Sequence, residues 1–402
     1  MIPILYSSSA NPKIIAYDNN MGIGRLNDCI SAVVTEERNG IYELEIEYPI
    51  NGEYFDRIEC NSWIKAKPYV GGDNQVFRVY RISKPVNGIC TVNAEHVSYM
   101  LTQAVVKLGD GTTDPPSLTC SQAFTEITAK TIDSRYVNTG TWGFSFTNYK
   151  STNAQSFIMD KARSIREYLL GAEYSILTVY GEGDYLFDNF NVYFSDLADE
   201  GTNTRGHDNG VRIQYGKNMT SLKMEESDDN VITDFYPYIV IPKDATSVDA
   251  QNRYASEDLS YFGESIIVPN PLAQYYQGCP RVMPLNLKDF EKWKNVETSI
   301  GYSIWVGRQD YYDCVNDYIA DHPESGAPSR SIDVSFVDLS STDEYKNIMT
   351  LESINLCDIV TVYYPQWNIG VDEKFRVVKT EYNVLEERYN NLTLGAIRKT
   401  LK

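Results

Sequence analysis

From Tyr42 to Tyr48 the chain alternates strictly: Tyr42, Leu44, Ile46 and Tyr48 fall on one face, and Glu43, Glu45 and Glu47 on the other. A period of two with one acidic side predicts a strand, Ile41 to Tyr48, in a sheet with one wet face. Asn39-Gly40 just before it reads as a hairpin turn, since both residues tolerate positive φ. The run Ile30 to Thr35 is then the partner strand. Further strands are predicted at Trp63–Lys67, Gln75–Ser83 and Ile89–Ala94, separated by Gly71-Gly72-Asp73 and Asn87-Gly88. Short antiparallel strands joined by tight turns predict a small barrel or sandwich.

The pattern then changes. Gly109-Asp110-Gly111 and Asp114-Pro115-Pro116 interrupt the strands. A stripe of Ala154, Ile158, Ala162, Ile165 and Leu169 predicts a helix over 153–170, with Gly171 at its C-terminal cap. Strands are expected again at Tyr174–Tyr180 and Phe190–Phe194, and Asp199 to Gly210 reads as an exposed loop. A second helix is expected from Gln309 to Ala320, ending before Pro323. Ser325-Gly326-Ala327-Pro328-Ser329 reads as a linker.

An internal repeat organises these pieces. VVTEERNGIYELEIEYP (Val33 to Pro49) resembles LKMEESDDNVITDFYP (Leu222 to Pro237). Trp63-Ile64-Lys65-Ala66 followed by Phe77-Arg78-Val79 resembles Ile359-Val360-Thr361-Val362 followed by Phe375-Arg376-Val377, in the same order. Glu36 to Phe77 is 41 positions and Glu225 to Phe375 is 150, so the second copy holds 109 more. An insertion from about Pro242 to Ser329 would supply most of them. Two similar all-β domains are expected, the second one split.

Length and composition narrow the functional classes. At about 100–200 residues per domain, 402 residues predict two to four domains. Aromatic residues make up 12% of the chain, enough for a large core, which excludes global disorder. The net charge of −19 makes the chain a poor binder of nucleic acid or anionic membrane. No apolar run approaches the roughly 20 residues of a membrane span, and Met1 to Lys13 does not read as a signal peptide. Seven scattered cysteines, with no CxxC, predict neither a disulfide framework nor a zinc site and point to a reducing compartment.

Catalytic and cofactor signatures are missing from the sequence. No HExxH occurs. Gly301-Tyr302-Ser303-Ile304-Trp305 has Trp where a nucleophile elbow needs its second glycine. Cys90 and His96 are near in sequence, but read as a strand residue and a helix-start or turn residue. Gly22-Ile23-Gly24 lacks the third glycine of a dinucleotide site. Gly109 to Asp114 lacks GK[ST], and Asp228-Asp229-Asn230 lacks EF-hand spacing. No catalytic, cofactor-binding or metal residue is therefore assigned, and no cofactor is expected. The 31 tyrosines suit interfaces or sugar binding, but antiparallel sheets favour Tyr anyway. The pattern leaves Tyr236, Tyr238, Tyr275, Tyr276, Tyr363 and Tyr364 unassigned between surface and core.

The repeat residues also carry a family resemblance. VVTEERNGIYELEIEYP, then QVFRVYRISK (Gln75 to Lys84) and AEHVSYML (Ala94 to Leu101), resemble the prophage tail endopeptidase family, also called the phage minor structural protein N-terminal region. EYLLGAEYSIL from Glu167, DNFNVYF from Asp188, IQYGKNMTSLKMEE from Ile213, LCDIVTVYY from Leu356 and VVKTEYNVLEERYNNLTLG from Val377 follow in order. The resemblance implies an α+β, mainly β, baseplate-hub-like fold. It would contain two related antiparallel β-barrel domains, the second split, with smaller α/β domains. The expected boundaries are 1–103 for the first barrel and 104–210 for an α+β domain. Residues 211–241 with 330–402 would form the split barrel, and 242–329 an inserted segment packing with 104–210.

The implied function is a homotrimeric, non-enzymatic hub at the tail tip of a long-tailed phage. It would adapt the tail tube and a distal tail protein hexamer to the tip, and gate ejection of the tape-measure protein and DNA. Tip or receptor-binding proteins are further implied partners, and DNA would pass without specific binding. Six barrels in a trimer would match a six-fold ring. The alternative is a peptidoglycan endopeptidase, as the family name suggests, but the resemblance carries no catalytic residue onto this chain.

Overall fold

The computed structural model describes residues 1–18, 22–83, 87–108, 116–171, 174–198, 203–215, 217–242, 254–274, 279–290, 307–336, 354–365 and 371–396. The chain divides into two compact units, Met1–Lys223 with Ile332–Gly395, and Met224–Ser331 with Ala396–Lys402.

The first unit begins with seven strands: β1 (Ile4–Tyr6), β2 (Gly24–Arg25), β3 (Ser31–Glu37), β4 (Tyr42–Pro49), β5 (Trp63–Ala66), β6 (Gln75–Ile82) and β7 (Ile89–His96). The hairpin expected around Asn39-Gly40 is present. β3 and β4 pair antiparallel, with Val34 opposite Leu44, and Asn39 takes φ 53 in the turn. Tyr42, Leu44, Ile46 and Tyr48 are all buried, so the alternation did mark the core face.

A smaller sheet follows, formed by β8 (Ser145–Asn148), β9 (Asp184–Asp188) and β10 (Asn191–Ser195). The helix Cys120–Ala129 was not anticipated. Its capping box is Thr119 with Gln122, and it buries Cys120, Ala123, Phe124 and Ile127. The helix expected over 153–170 is helical only at Ile165–Leu170. Ser164 is the reason: it is extended, and its hydroxyl and the Glu167 carboxylate form a capping box that starts the helix there. Ala154 and Ala162, counted in the apolar stripe, are exposed. Tyr174–Tyr180, expected as a strand, contains the short helix Ile176–Val179, capped by Ser175 and Thr178.

The remaining strands of the large sheet are β11 (Asp208–Gln214), β12 (Met219–Ser227), β13 (Ser329–Phe336), β14 (Ile359–Tyr364), β15 (Val371–Asn383) and β16 (Arg388–Ala396). Thirteen strands form this sheet along the path β12-β13-β16-β15-β3-β4-β7-β6-β5-β1-β2, with β14 on β15 and β11 on β14. The path is open. Its ends, β12 and β2, do not pair with each other, and no sheet among the described residues closes into a barrel. The expectation of two β-barrel domains is therefore wrong. Instead of each repeat closing on itself, β15 extends past β14 and its outer half joins β3, with Tyr382 opposite Val34. One continuous sheet contains both repeats.

The repeat is nonetheless visible in strand order. The first set runs β3-β4-β7-β6-β5 and the second β12-β13-β16-β15-β14. Their registers match too: Ile64 faces Phe77, and Val360 faces Phe375. The counterpart of β4 is β13, not the segment ending in Tyr236-Pro237. The extra residues therefore enter at the position of the Asn39-Gly40 turn, between β12 and β13. The Tyr-Pro match belongs to the second unit and is fortuitous.

In the second unit, the strand Asp234–Pro242 pairs antiparallel with Tyr254–Asp258 and Val268–Pro269, and parallel with Val282–Asn286. The helix Arg308–Asp321 agrees with the expected one and buries Tyr311, Cys314 and Val315. These pack with Phe235, Ile239, Leu259, Leu285 and Leu287 as the unit's core.

Candidate assembly interface

Where the two strand sets meet, the sheet is backed by buried charge. Glu36 on β3 accepts a 2.6 Å hydrogen bond from Arg205 Nη2, and the two side chains are only 4% and 8% exposed. Arg205 Nη1 also donates to the Tyr185 carbonyl, at 2.6 Å. Burial works against the Arg205 charge, but Glu36, with Asp184 nearby, outweighs it and holds the guanidinium above its ordinary value. Asp184 on β9 is fully buried, accepts from Arg38 Nε at 2.6 Å, and lies 3.9 Å from Arg376 Nη1 on β15. The cluster thus ties the first set, the second set and the small sheet together.

The same junction contains a strained segment. Cys357 is buried at φ 75, and burial pushes its thiol up to about 12. A Cβ at Gly206 would lie 2.0 Å from the Cys357 carbonyl oxygen, so only glycine permits this approach. Next to it, Asp358 accepts from the backbone N–H of His207 and of Asn355, and burial raises its carboxyl.

A second network joins β6 and β7 to the small sheet. His96 is fully buried and stacks on Tyr42 at 4.1 Å. Its Nε2 lies 3.1 Å from Gln75 Oε1, which also accepts from the Asn189 N–H. Burial, with Arg166 adding to it, pushes the imidazole well below its ordinary 6.5. The folded chain therefore leaves His96 neutral at a pH where the unfolded chain protonates it. Below pH about 6.5 the unfolded state holds the extra proton, so stability falls as pH falls, by about 1.4 kcal/mol per pH unit. Urea titrations of the His96→Gln chain should show a flatter slope below that pH than the unsubstituted chain. An unchanged slope would assign the effect elsewhere.

The wet face of β4 keeps Glu43, Glu45 and Glu47 out of the core. Glu43 sits directly opposite Glu95 on β7, a like-charge pair relieved by Tyr80, which donates to Glu43, and by Arg78, which binds Glu95. Among the described residues the sheet path ends at β12 and β2, β11 has a strand on one side only, and the part of β6 beyond β5, where Tyr80 is 37% exposed and Arg81 is exposed, has no strand beside it. A bulge between Val79 and Arg81 bends the strand there.

Comparison with known proteins gives the same architecture a setting. No curated protein matches the chain by sequence. Residues 315–402 match the model of the prophage endopeptidase tail family. A prophage tail protein of Listeria monocytogenes shares the fold with a TM-score of 0.53 at 14% identity, over 99% of this chain and 95% of that one. The prophage MuSo2 43 kDa tail protein of Shewanella oneidensis gives 0.55 at 10% identity, over 99% and 98%. A tail protein of Neisseria meningitidis gives 0.52 at 7%, over 98% and 96%. The chain has the fold of phage tail proteins. The resemblance read from the sequence is thus borne out; the family model reaches residues 315–402, and the likeness over the rest of the chain is one of fold.

Within this tail protein fold the rejected chemical motifs fall apart in space or serve structure. Cys90 and His96 stand at opposite ends of β7, roughly 20 Å apart at 3.3 Å per residue. Asp228 binds Arg281 at 3.0 Å within the second unit. Gly301–Trp305, Gly109–Asp114 and the tyrosines at 275 and 276 lie outside the described residues. Tyr236 and Tyr238 stack on each other, Tyr363 carries Arg212 over its ring at 4.2 Å, and Tyr364 meets Tyr215 edge-on. All seven cysteines are unpaired. No metal-binding group of His, Cys, Asp and Glu occurs among the described residues, and no helix there is long and apolar enough to cross a membrane. Sequence reasoning missed the charge cluster, because Glu36, Asp184, Arg205 and Arg376 meet only through the tertiary fold.

Proposed function

We propose that the chain is a non-enzymatic hub of a phage tail tip, assembled as a homotrimer. It would join the tail tube and distal tail ring to the tip and gate passage of the tape-measure protein and DNA. The observation that carries this reading is the duplicated strand set. Each copy of the chain offers two sets in the same strand order, so three copies offer six, matching a six-fold ring with a quasi-equivalent element at every position. The acidic face of β4 suits a wall past which DNA slides without sticking, since like charge repels phosphate.

Mass by light scattering across a concentration series, with negative-stain imaging of the same sample, tests this. The expected result is a three-copy particle with six similar densities around one face. A particle with another copy number, or cleared zones on cell-wall zymograms, would overturn it.

A further inference from the structure

The first unit contains a cleft between the helix Cys120–Ala129 and β8 with the turn before it, of about 230 Å³. Ser121, Thr125 and Thr128 line it from the helix, and Asn138 and Asn148 from the other side. Phe124 and Phe146 complete the lining, with ring centroids 5.8 Å apart and planes at 22°.

The polar groups of the cleft have hydrogen-bonding capacity to spare. Thr125 Oγ1 donates to the Ser121 carbonyl at 3.0 Å, and Thr128 Oγ1 to the Thr125 carbonyl at 2.9 Å. Both hydroxyls have thus committed their protons and keep lone pairs to offer. The Ser121 hydroxyl and the Asn138 side-chain amide have no partner among the described residues. Asn138 is nonetheless fixed in place: it takes φ 52, and its N–H donates to the Phe144 carbonyl at 3.1 Å. Asn148 is locked by Lys150, donating from Nδ2 to its carbonyl at 3.0 Å and accepting its N–H at Oδ1 at 3.2 Å. None of the lining side chains is charged.

That lining selects a chemistry. A phosphate, carboxylate or ammonium would enter without a counter-charge, which is costly. An apolar molecule would cover hydroxyls and amides and return no hydrogen bonds. A pyranose ring meets both demands. Its rim of hydroxyls donates and accepts, and its C–H face can lie on the half-buried Phe146 ring. The volume is below the roughly 300–1,000 Å³ of sites for drug-sized ligands, which leaves room for one ring. We propose that this cleft binds one uncharged pyranose residue, free or projecting from a glycan, with Asn138, Ser121, Thr125 and Thr128 on its hydroxyls and Phe146 against its C–H face.

The site lies on one chain and goes beyond the hub reading, whose copy number has no bearing on it. Saturation-transfer NMR on the full chain, with the methyl glycosides of glucose, galactose, mannose and N-acetylglucosamine as probes, tests it. At least one should bind, with a Kd of about 1 mM, and inorganic phosphate should not. Asn138→Gly removes the amide and keeps the positive φ available. Thr125→Val with Thr128→Val removes two hydroxyls at nearly constant shape. Each variant should weaken binding about tenfold or more while its thermal midpoint stays near that of the unsubstituted chain. No binding by any glycoside, binding of phosphate in their place, or equal binding by folded variants would overturn the site. Retention on an immobilised cell-wall polysaccharide, released by the glycoside that binds, would assign the cleft to a wall glycan. Binding of the free glycoside without such retention would assign it to a free sugar.

Discussion

Arg205→Met is expected to destabilise the first unit by about 3–5 kcal/mol, the range for leaving one member of a buried ion pair uncompensated. Glu36 is 4% exposed and would keep its charge with no guanidinium against it. The Tyr185 carbonyl would lose its donor in the same step. Replacing both partners, with Glu36→Leu added, should cost markedly less, because the stranded charge disappears along with its partner. Urea unfolding of the single and double variants reads both predictions, as midpoint shifts at constant slope. A single variant within 1 kcal/mol of the unsubstituted chain, on the scale of an exposed pair, would mean water reaches the cluster.

The cluster also explains why part of this fold could be read in the sequence and part could not. Local signals succeeded where neighbours in sequence settle the geometry. The alternation at Tyr42–Tyr48 and the Asn39-Gly40 turn specified a hairpin, and a hairpin formed. The Phe-Arg-Val signature located two strand pairs of identical register, Ile64 with Phe77 and Val360 with Phe375. Local signals failed where two readings compete over few residues. Ser164 and Ser175 are good caps, and each started a short helix inside a segment whose apolar spacing suggested something else. Barrel closure failed for a different reason. Whether a strand edge closes on its own repeat or joins the other depends on pairings such as Thr380 with Glu36, hundreds of residues apart. Nothing in either strand alone specifies that choice. The insertion was misplaced by one strand, because DFYP in the second unit imitates IEYP in β4.

The joined sheet makes a further prediction that separate domains would not. Phe77 is fully buried, with its ring centroid 5.6 Å from those of both Tyr42 and His96, and Phe375 is 2% exposed. Phe77→Ala and Phe375→Ala should each cost about 3–5 kcal/mol, from lost burial plus the cavity left behind. Two independent domains would confine each loss to its own repeat. Here β15 pairs with β14 along one half and β3 along the other, so both repeats share a hydrogen-bonded ladder as well as the Arg38–Asp184–Arg376 cluster. Each substitution should therefore lower amide protection in β3, β4 and β7 and also in β14, β15 and β16, by similar amounts. Hydrogen exchange followed by mass spectrometry on the two variants would show this. If Phe375→Ala left the β3–β4 hairpin fully protected while β14 and β15 opened, the ladder between β3 and β15 would be too weak to couple the repeats. Equal loss on both sides would mean that the ladder between β3 and β15 makes the two repeats one cooperative unit.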